Sequence, residues 1–139
     1  MLFYCLEDFK SEFDKLKKNN SYRDLESDLC KFLFSEDKEL NSFKKIGSNL
    51  NNNLQVPYIK CRIKGSGGYR IYFLLIVKDE RLFLLFVHPK TGAMGATNIT
   101  TDFKKGLYNK AVNEIESGQY CSVTKNAETG GLVFTPLLY

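Results

Sequence analysis

Basic side chains in the middle of the chain alternate with apolar ones, in a pattern suited to binding phosphate. The basic residues of this stretch are Lys60, Arg62 and Lys64, and the apolar residues between them are Ile59, Cys61 and Ile63. In a β-strand, residues two apart share a face and lie about 7 Å from each other. The three cations are therefore predicted to line one face of a strand, close to Arg70 at the start of the next strand.

Aromatic and imidazole side chains accompany these cations. Tyr58 and Tyr72 are expected beside them, where aromatic rings could stack bases while the cations neutralise phosphates. His88, the single histidine of the chain, and Lys90 follow at the end of a third predicted strand. An imidazole titrates near neutral pH, which makes His88 a candidate general base. The alternatives are a structural histidine at a strand end and an edge strand whose lysines oppose aggregation.

The positive charge is concentrated in this middle segment. The 139 residues carry a formal net charge of +4. Residues 57–105 contain nine basic and three acidic side chains, a net +6, whereas residues 1–56 (nine basic, ten acidic) and 106–139 (two basic, three acidic) each have −1. Such an uneven distribution is typical of proteins that bind nucleic acid.

The hydrophobic pattern predicts the order β-α-α-β-β-β-α. The predicted elements are a strand at 2–6, helices at 7–18 and 21–33, strands at 56–64, 69–78 and 81–88, and a helix that Thr100 or Thr101 caps and Gly118 ends. Helical spacing of apolar residues defines the helices, and alternation or short apolar runs define the strands. The turn between the first two strands of the meander is Gly65-Ser66-Gly67-Gly68.

This order predicts an α+β domain spanning residues 1–139. We expect an N-terminal strand and a helical hairpin packed on an antiparallel β-sheet meander, followed by a C-terminal helix. Residues 118–139 are expected to form either an extra strand or a tail.

Several classes of protein are disfavoured by the sequence. No run of about eighteen apolar residues is present, so we expect no transmembrane helix, and Met1–Leu6 lacks the basic leader of a secretory signal. The four cysteines form no C-x-x-C pair, which disfavours a zinc site: Cys5, Cys30, Cys61 and Cys121. We expect free thiols in a reducing cytoplasm, although four cysteines could also pair as disulfides.

The stretch VPYIKCRIKGSGGYRIYFLLIVKDERLFLLFVHPKTG resembles the core of the RelE/ParE superfamily of type II toxins. In that family a basic strand, a Ser/Gly turn and a Gly-Tyr-Arg motif, here Gly68-Tyr69-Arg70, lead into an apolar hairpin that ends in a basic residue. The segment FYCLEDFKSEFDKL is similar to the family's first strand and helical hairpin, particularly in the HigB-like branch. The resemblance extends from residue 2 to about residue 116 and implies a RelE-like fold.

The resemblance also implies an activity, that of a metal-independent endoribonuclease without a cofactor. In the family, a ribose 2′-hydroxyl attacks its own 3′-phosphate, which requires charge stabilisation at phosphorus and proton transfer. Lys60 and Arg62 match the family's basic-strand positions, and Arg70 matches the arginine of the Gly-Tyr-Arg motif. Some members of the family also use a tyrosine late in the chain. This sequence has no counterpart to it, since Tyr108 lies inside the last predicted helix.

Two further residues match more loosely. Lys64 corresponds to the basic residue before the turn if one extra glycine is allowed, and Lys90 approximates the basic residue after the third strand. The candidate catalytic residues are Lys60, Arg62, Arg70 and His88, and the candidate RNA-binding residues are Tyr58, Lys64, Tyr72 and Lys90.

The resemblance implies a bacterial cytoplasmic toxin that cleaves mRNA on the ribosome and is neutralised by a cognate antitoxin, with no membrane or metal involved. Two alternatives remain open on the same scaffold. One is a ParE-like gyrase inhibitor, which the basic strand disfavours, and the other is a non-catalytic RNA- or protein-binding module.

Overall fold

In a computed structural model of the chain, the strands of the described residues belong to one seven-stranded sheet. The structure describes residues 1–65, 68–90 and 99–137. The elements are β1 (Leu2–Cys5), α1 (Glu7–Lys17), a 3₁₀ turn (Asn20–Tyr22), α2 (Leu25–Phe34), α3 (Leu40–Lys45), β2 (Ser48–Asn49), β3 (Tyr58–Arg62), β4 (Arg70–Ile76), β5 (Arg81–His88), α4 (Thr101–Glu116), β6 (Cys121–Lys125) and β7 (Leu132–Pro136). The predicted α+β class is confirmed.

The sheet is mixed, with the strand order β2-β3-β4-β5-β1-β6-β7. β3, β4 and β5 form the predicted antiparallel meander. β1, however, pairs in parallel with β5 and antiparallel with β6, so the prediction of an antiparallel sheet is wrong at this junction. Periodicity along one strand does not report the direction of its neighbour, because that direction is set by connections between distant segments.

Helices cover the two faces of the sheet. α1 and α2 pack on one face, which we call the hairpin face, and the stripe Phe9, Phe13 and Leu16 is at most 2% exposed there. α4 packs on the opposite face, the α4 face, through Leu107 and Ala111. Burying a large apolar side chain contributes about 1.5–3 kcal/mol, so both helices are held chiefly by these contacts.

The run of asparagines before β3 builds the entry to that strand. Asn53 Oδ1 accepts hydrogen bonds from the backbone N–H groups of Gln55 and Val56, at 2.8 and 2.9 Å. Asn51 Oδ1 accepts from the Tyr58 N–H at 3.1 Å. Asparagine side chains that bond nearby backbone groups favour turns, and here they set the point at which β3 begins.

Residues 118–139 contain two strands, β6 and β7, that extend the sheet beyond β1. The β6–β7 hairpin is attached to α2, because Glu26 Oε2 accepts a hydrogen bond from the Leu132 N–H at 2.8 Å. Cys30 Sγ also donates to the Gly130 carbonyl oxygen at 3.3 Å. The expected extra strand is therefore present as β7, and β6 was not anticipated.

Within residues 1–65, 68–90 and 99–137, no helix is long and apolar enough to cross a membrane.

Candidate phosphate-binding site

Three side chains form a row across one end of the meander. Arg62 of β3 is directly opposite Arg70 of β4, and Arg70 is directly opposite His88 of β5. Directly opposite residues of neighbouring strands point to the same face, and the strands lie about 4.8 Å apart. We call Arg62, Arg70 and His88 the basic row. It lies on the α4 face, since Tyr72, two residues after Arg70, packs in the α4 cluster.

A β-bulge in β5 brings His88 into the basic row. Leu85 packs on the α4 face, and the pairing of β5 with β4 then shifts register. As a result Phe86 also packs on the α4 face, while Val87 packs on the hairpin face. Strict alternation from Leu85 would have pointed His88 to the hairpin face, away from Arg70.

Lys60 lies next to the basic row on the same face, opposite Tyr72. There α4 supplies a further cation, Lys104, which the sequence pattern did not identify. Partial burial lowers the pKa of the Lys60 ammonium first, and the charges of Lys104 and Arg70 lower it further. Because both charged neighbours are cations, the local electrostatic potential is positive. It disfavours the protonated form of Lys60 and favours a bound anion. Only the packing of α4 on β3 shows that Lys104 belongs to this site.

The cations of the site have no carboxylate partners within the described part of the chain. The ion pairs found there involve Lys10, Lys15, Lys17 and Lys110, and none includes Lys60, Arg62, Arg70 or Lys104. Lys60, Arg70 and Lys104 are half-buried and Arg62 is exposed. Partly desolvated like charges repel one another, and a bound phosphate group would relieve that repulsion.

Tyr58 and Tyr72 form the floor of the site and are not stacking platforms for bases. The two residues are only 4% and 0% exposed, so neither ring has a free face and the prediction that they stack bases is wrong. The Tyr58 hydroxyl donates to the Lys104 carbonyl oxygen at 2.9 Å, and its ring lies against Tyr108 at 5.5 Å between centroids. These contacts hold α4 against β3 and so position Lys104.

His88 is also enclosed, at 6% exposed. Its ring stacks on Tyr72 with a centroid distance of 6.1 Å and an interplanar angle of 23°. Nδ1 lies 3.2 Å from the Pro89 carbonyl oxygen, and because a carbonyl can only accept, this contact requires the proton on Nδ1. Nε2 is then the basic nitrogen of the neutral ring, but it is buried. A general-base role for His88 therefore requires a movement that exposes Nε2.

Lys64 and Lys90 are not part of the basic row. β3 ends at Arg62, so Lys64 lies beyond the strand, where it lines a cleft of about 450 Å³ beside α2 together with Asp28 and Arg62. The predicted line of three cations on β3 is therefore reduced to two. Lys90 is exposed and lies two residues beyond β5. Ser66 and Gly67 of the predicted turn, and residues 91–98, lie outside the described residues.

The described residues contain no group of three or more histidine, cysteine, aspartate or glutamate side chains placed to hold a metal ion. No protein-family model, curated protein or solved structure matches this chain significantly.

Proposed function

We propose that this protein is a toxin of the RelE type, a metal-independent endoribonuclease that cleaves mRNA. The observation that carries the proposal is the convergence of Lys60, Arg70 and Lys104, with Arg62 directly opposite Arg70. None of the four cations has a carboxylate partner among the described residues. A cluster of unpaired cations above a rigid, buried aromatic floor suits the phosphate backbone of RNA.

The proposed chemistry is transesterification within the RNA strand. The 2′-oxygen of a ribose forms a bond to the adjacent phosphorus, and the bond from phosphorus to the 5′-oxygen breaks. The products are a 2′,3′-cyclic phosphate and a 5′-hydroxyl end. Arg62 and Arg70 would each hold a non-bridging oxygen and stabilise the extra negative charge of the pentacoordinate phosphorus.

Proton transfer would be divided between two groups. Lys60, whose pKa is lowered by burial and by Lys104 and Arg70, is suited to give a proton to the leaving 5′-oxygen, because a lowered pKa makes the ammonium a stronger acid. His88 Nε2 would take the proton of the 2′-hydroxyl after it becomes exposed. The proposal includes a cytoplasmic location, ribosome-bound mRNA as substrate, and a cognate antitoxin whose acidic groups cover the basic row.

The experiment is an RNA cleavage assay with purified protein, with and without translating ribosomes. We expect a 2′,3′-cyclic phosphate and a 5′-hydroxyl at each cut, and loss of at least a hundred-fold in rate for Arg70→Ala, since about 2.7–4 kcal/mol is typical for removing one group that stabilises the transition-state charge. Lys78→Ala, at an exposed turn beyond the other end of β4, is the matched control and should cleave normally.

A second candidate function is a non-catalytic RNA-binding module, favoured by the burial of Nε2 in His88. RNA binding that depends on Arg70, without any cleavage product, would establish this second function and overturn the nuclease. Intact RNA combined with inhibition of gyrase-dependent supercoiling would instead indicate a ParE-like inhibitor.

A further inference from the structure

Two cysteines face each other where the N-terminal strand meets the C-terminal hairpin. Cys5 of β1 is directly opposite Cys121 of β6, and Cys121 is close enough to raise the pKa of the Cys5 thiol. Both side chains lie on the hairpin face, where Cys5 belongs to the core and Cys121 packs against it. The register thus brings together two thiols that are distant in sequence.

The backbone geometry is compatible with a covalent bond between them. The N–H groups of Leu2 and Leu6 donate to carbonyls of the β5 side, each at 3.0 Å, so by alternation the backbone groups of Cys5 are directed toward β6. Cys5 and Cys121 therefore form a hydrogen-bonded antiparallel pair, in which the Cα atoms lie about 5.5 Å apart. Disulfides span Cα separations of about 4.4–6.8 Å.

The other two cysteines are placed differently. Cys30 lies on α2 and donates its thiol hydrogen to the Gly130 carbonyl oxygen. Cys61 lies on β3 and is 4% exposed in the core, where burial raises the pKa of its thiol, as it also does for Cys5. Neither is opposite another cysteine in the strand pairing. Of the disulfides that four cysteines could form, the strand pairing therefore favours the one between Cys5 and Cys121.

Cys121 can be reached from outside. It is partly exposed and, with Cys5, lines a cleft of about 720 Å³ between α1 and the end of the β6–β7 hairpin. Lys10, on the same cleft, is fixed by Asp14 at 2.8 Å. A cleft of this size admits a small disulfide to the Cys121 sulfur.

We propose that Cys5 and Cys121 form a reversible thiol–disulfide site that links β1 to the β6–β7 hairpin. The Cys121 thiolate attacks a small disulfide and forms a mixed disulfide, releasing one thiolate of the oxidant. The Cys5 thiol then loses its proton to solvent and attacks the sulfur of Cys121, releasing the second thiolate. The pair loses two electrons and two protons, and the small disulfide is reduced to two thiols.

The bond is expected to be easily reduced again. Cβ atoms of directly opposite residues lie about 4.5–5.5 Å apart, whereas a relaxed disulfide prefers about 3.5–4.5 Å. Strained disulfides have higher reduction potentials and act as labile or regulatory bonds. The site is independent of the proposed RNA chemistry, because it lies on the hairpin face and the basic row lies on the α4 face.

The test is to incubate the native protein in buffers of reduced and oxidised glutathione and to follow intact mass and cysteine-containing peptides. We expect loss of the mass of two hydrogens, a Cys5–Cys121 linked peptide, full reversal by dithiothreitol, and a higher thermal midpoint for the oxidised form. Cys121→Ser and Cys5→Ala should each abolish the mass loss, and Cys30→Ala and Cys61→Ala are the matched controls that should retain it.

Circular dichroism of the reduced variants checks that each one is folded. If only one of Cys121→Ser and Cys5→Ala folds, that variant alone is enough to test the proposal. Stable glutathione adducts on Cys121 without loss of two hydrogens would overturn the proposal. So would linked peptides that contain Cys30 or Cys61, or a native protein that remains fully reduced in oxidised glutathione.

Discussion

Arg62 and Arg70 are directly opposite each other on β3 and β4, so that two cations face each other across a single strand spacing. Like charges in such positions destabilise a sheet. Neither arginine takes part in an ion pair with the described residues. The pair therefore lowers folding stability while keeping its charge available to a ligand, which is the balance expected of a binding site.

Replacing one arginine should raise stability and weaken RNA binding. We expect Arg62→Thr to raise the free energy of unfolding by about 0.2–1 kcal/mol, because it removes the repulsion and threonine suits a strand. The slope of log binding constant against log salt for single-stranded RNA should become shallower by about 0.7, as one phosphate contact is lost. Urea denaturation and fluorescence anisotropy measure the two effects.

Lys78→Thr is the control for Arg62→Thr, since it removes one charge at an exposed turn. It should leave the salt slope unchanged. A lower stability of Arg62→Thr, with unchanged RNA binding, would contradict the role given to the arginine pair.

Lys60 and Lys104 provide a test of the electrostatics of the site. Removing the Lys104 charge with Lys104→Met should raise the pKa of Lys60, because a like charge that lowers it is gone. The measurement is the pH dependence of the Lys60 ¹³C signal after reductive methylation. Lys105→Met, on the exposed side of α4, is the control, and an equal effect of both variants would count against a direct Lys60–Lys104 interaction.

The lowered pKa of Lys60 also has a consequence for stability against pH. The folded protein holds the Lys60 proton less tightly than the unfolded chain does, so the charged form destabilises the fold at pH values below its lowered pKa. That penalty disappears as the pH rises toward the ordinary value of 10.5. Lys60→Met should therefore be more stable than the native protein at neutral pH, and the gain should shrink in urea titrations as the pH approaches 10.5.

Removing the hydroxyl of Tyr72 and removing that of Tyr58 should change the free energy of unfolding in opposite directions. The Tyr72 hydroxyl is buried and has no hydrogen-bond partner among the described residues, so Tyr72→Phe is expected to raise the free energy of unfolding by about 1 kcal/mol. The Tyr58 hydroxyl donates to the Lys104 carbonyl oxygen, so Tyr58→Phe should lower it by about 0.5–1.5 kcal/mol. Equal effects in urea denaturation would refute this assignment.

Gly47 is expected to be essential to the position of Lys60. Its φ is +70°, and a Cβ there would collide with the Lys60 carbonyl oxygen. Gly130 has a similar φ of +74° but open space around it. Gly130→Ala should cost about 1–2 kcal/mol from backbone strain alone. Gly47→Ala should lower the stability further, as measured by thermal unfolding, and should also weaken RNA binding. An equal loss of stability in the two variants would show that the protein accommodates the added Cβ at Gly47 without a clash.

Local periodicity determined a large part of this fold. The spacing of Phe9, Phe13 and Leu16 predicted the buried stripe of α1, and alternation predicted that Ile59 and Cys61 face the core. The N-cap of α4 was also readable, since the Thr100 hydroxyl accepts from the Phe103 N–H at 3.2 Å. Each of these features depends on residues within a few positions of one another, which is why the sequence was sufficient.

The tertiary structure alone decided how these elements combine. It placed β1 in parallel beside β5, brought Lys104 to Lys60, and buried the two tyrosines that the sequence suggested as stacking platforms. The register shift in β5 put His88 in line with Arg70. These features depend on contacts between segments far apart in the chain, whose geometry is set by packing and strand pairing and leaves no mark in the local pattern.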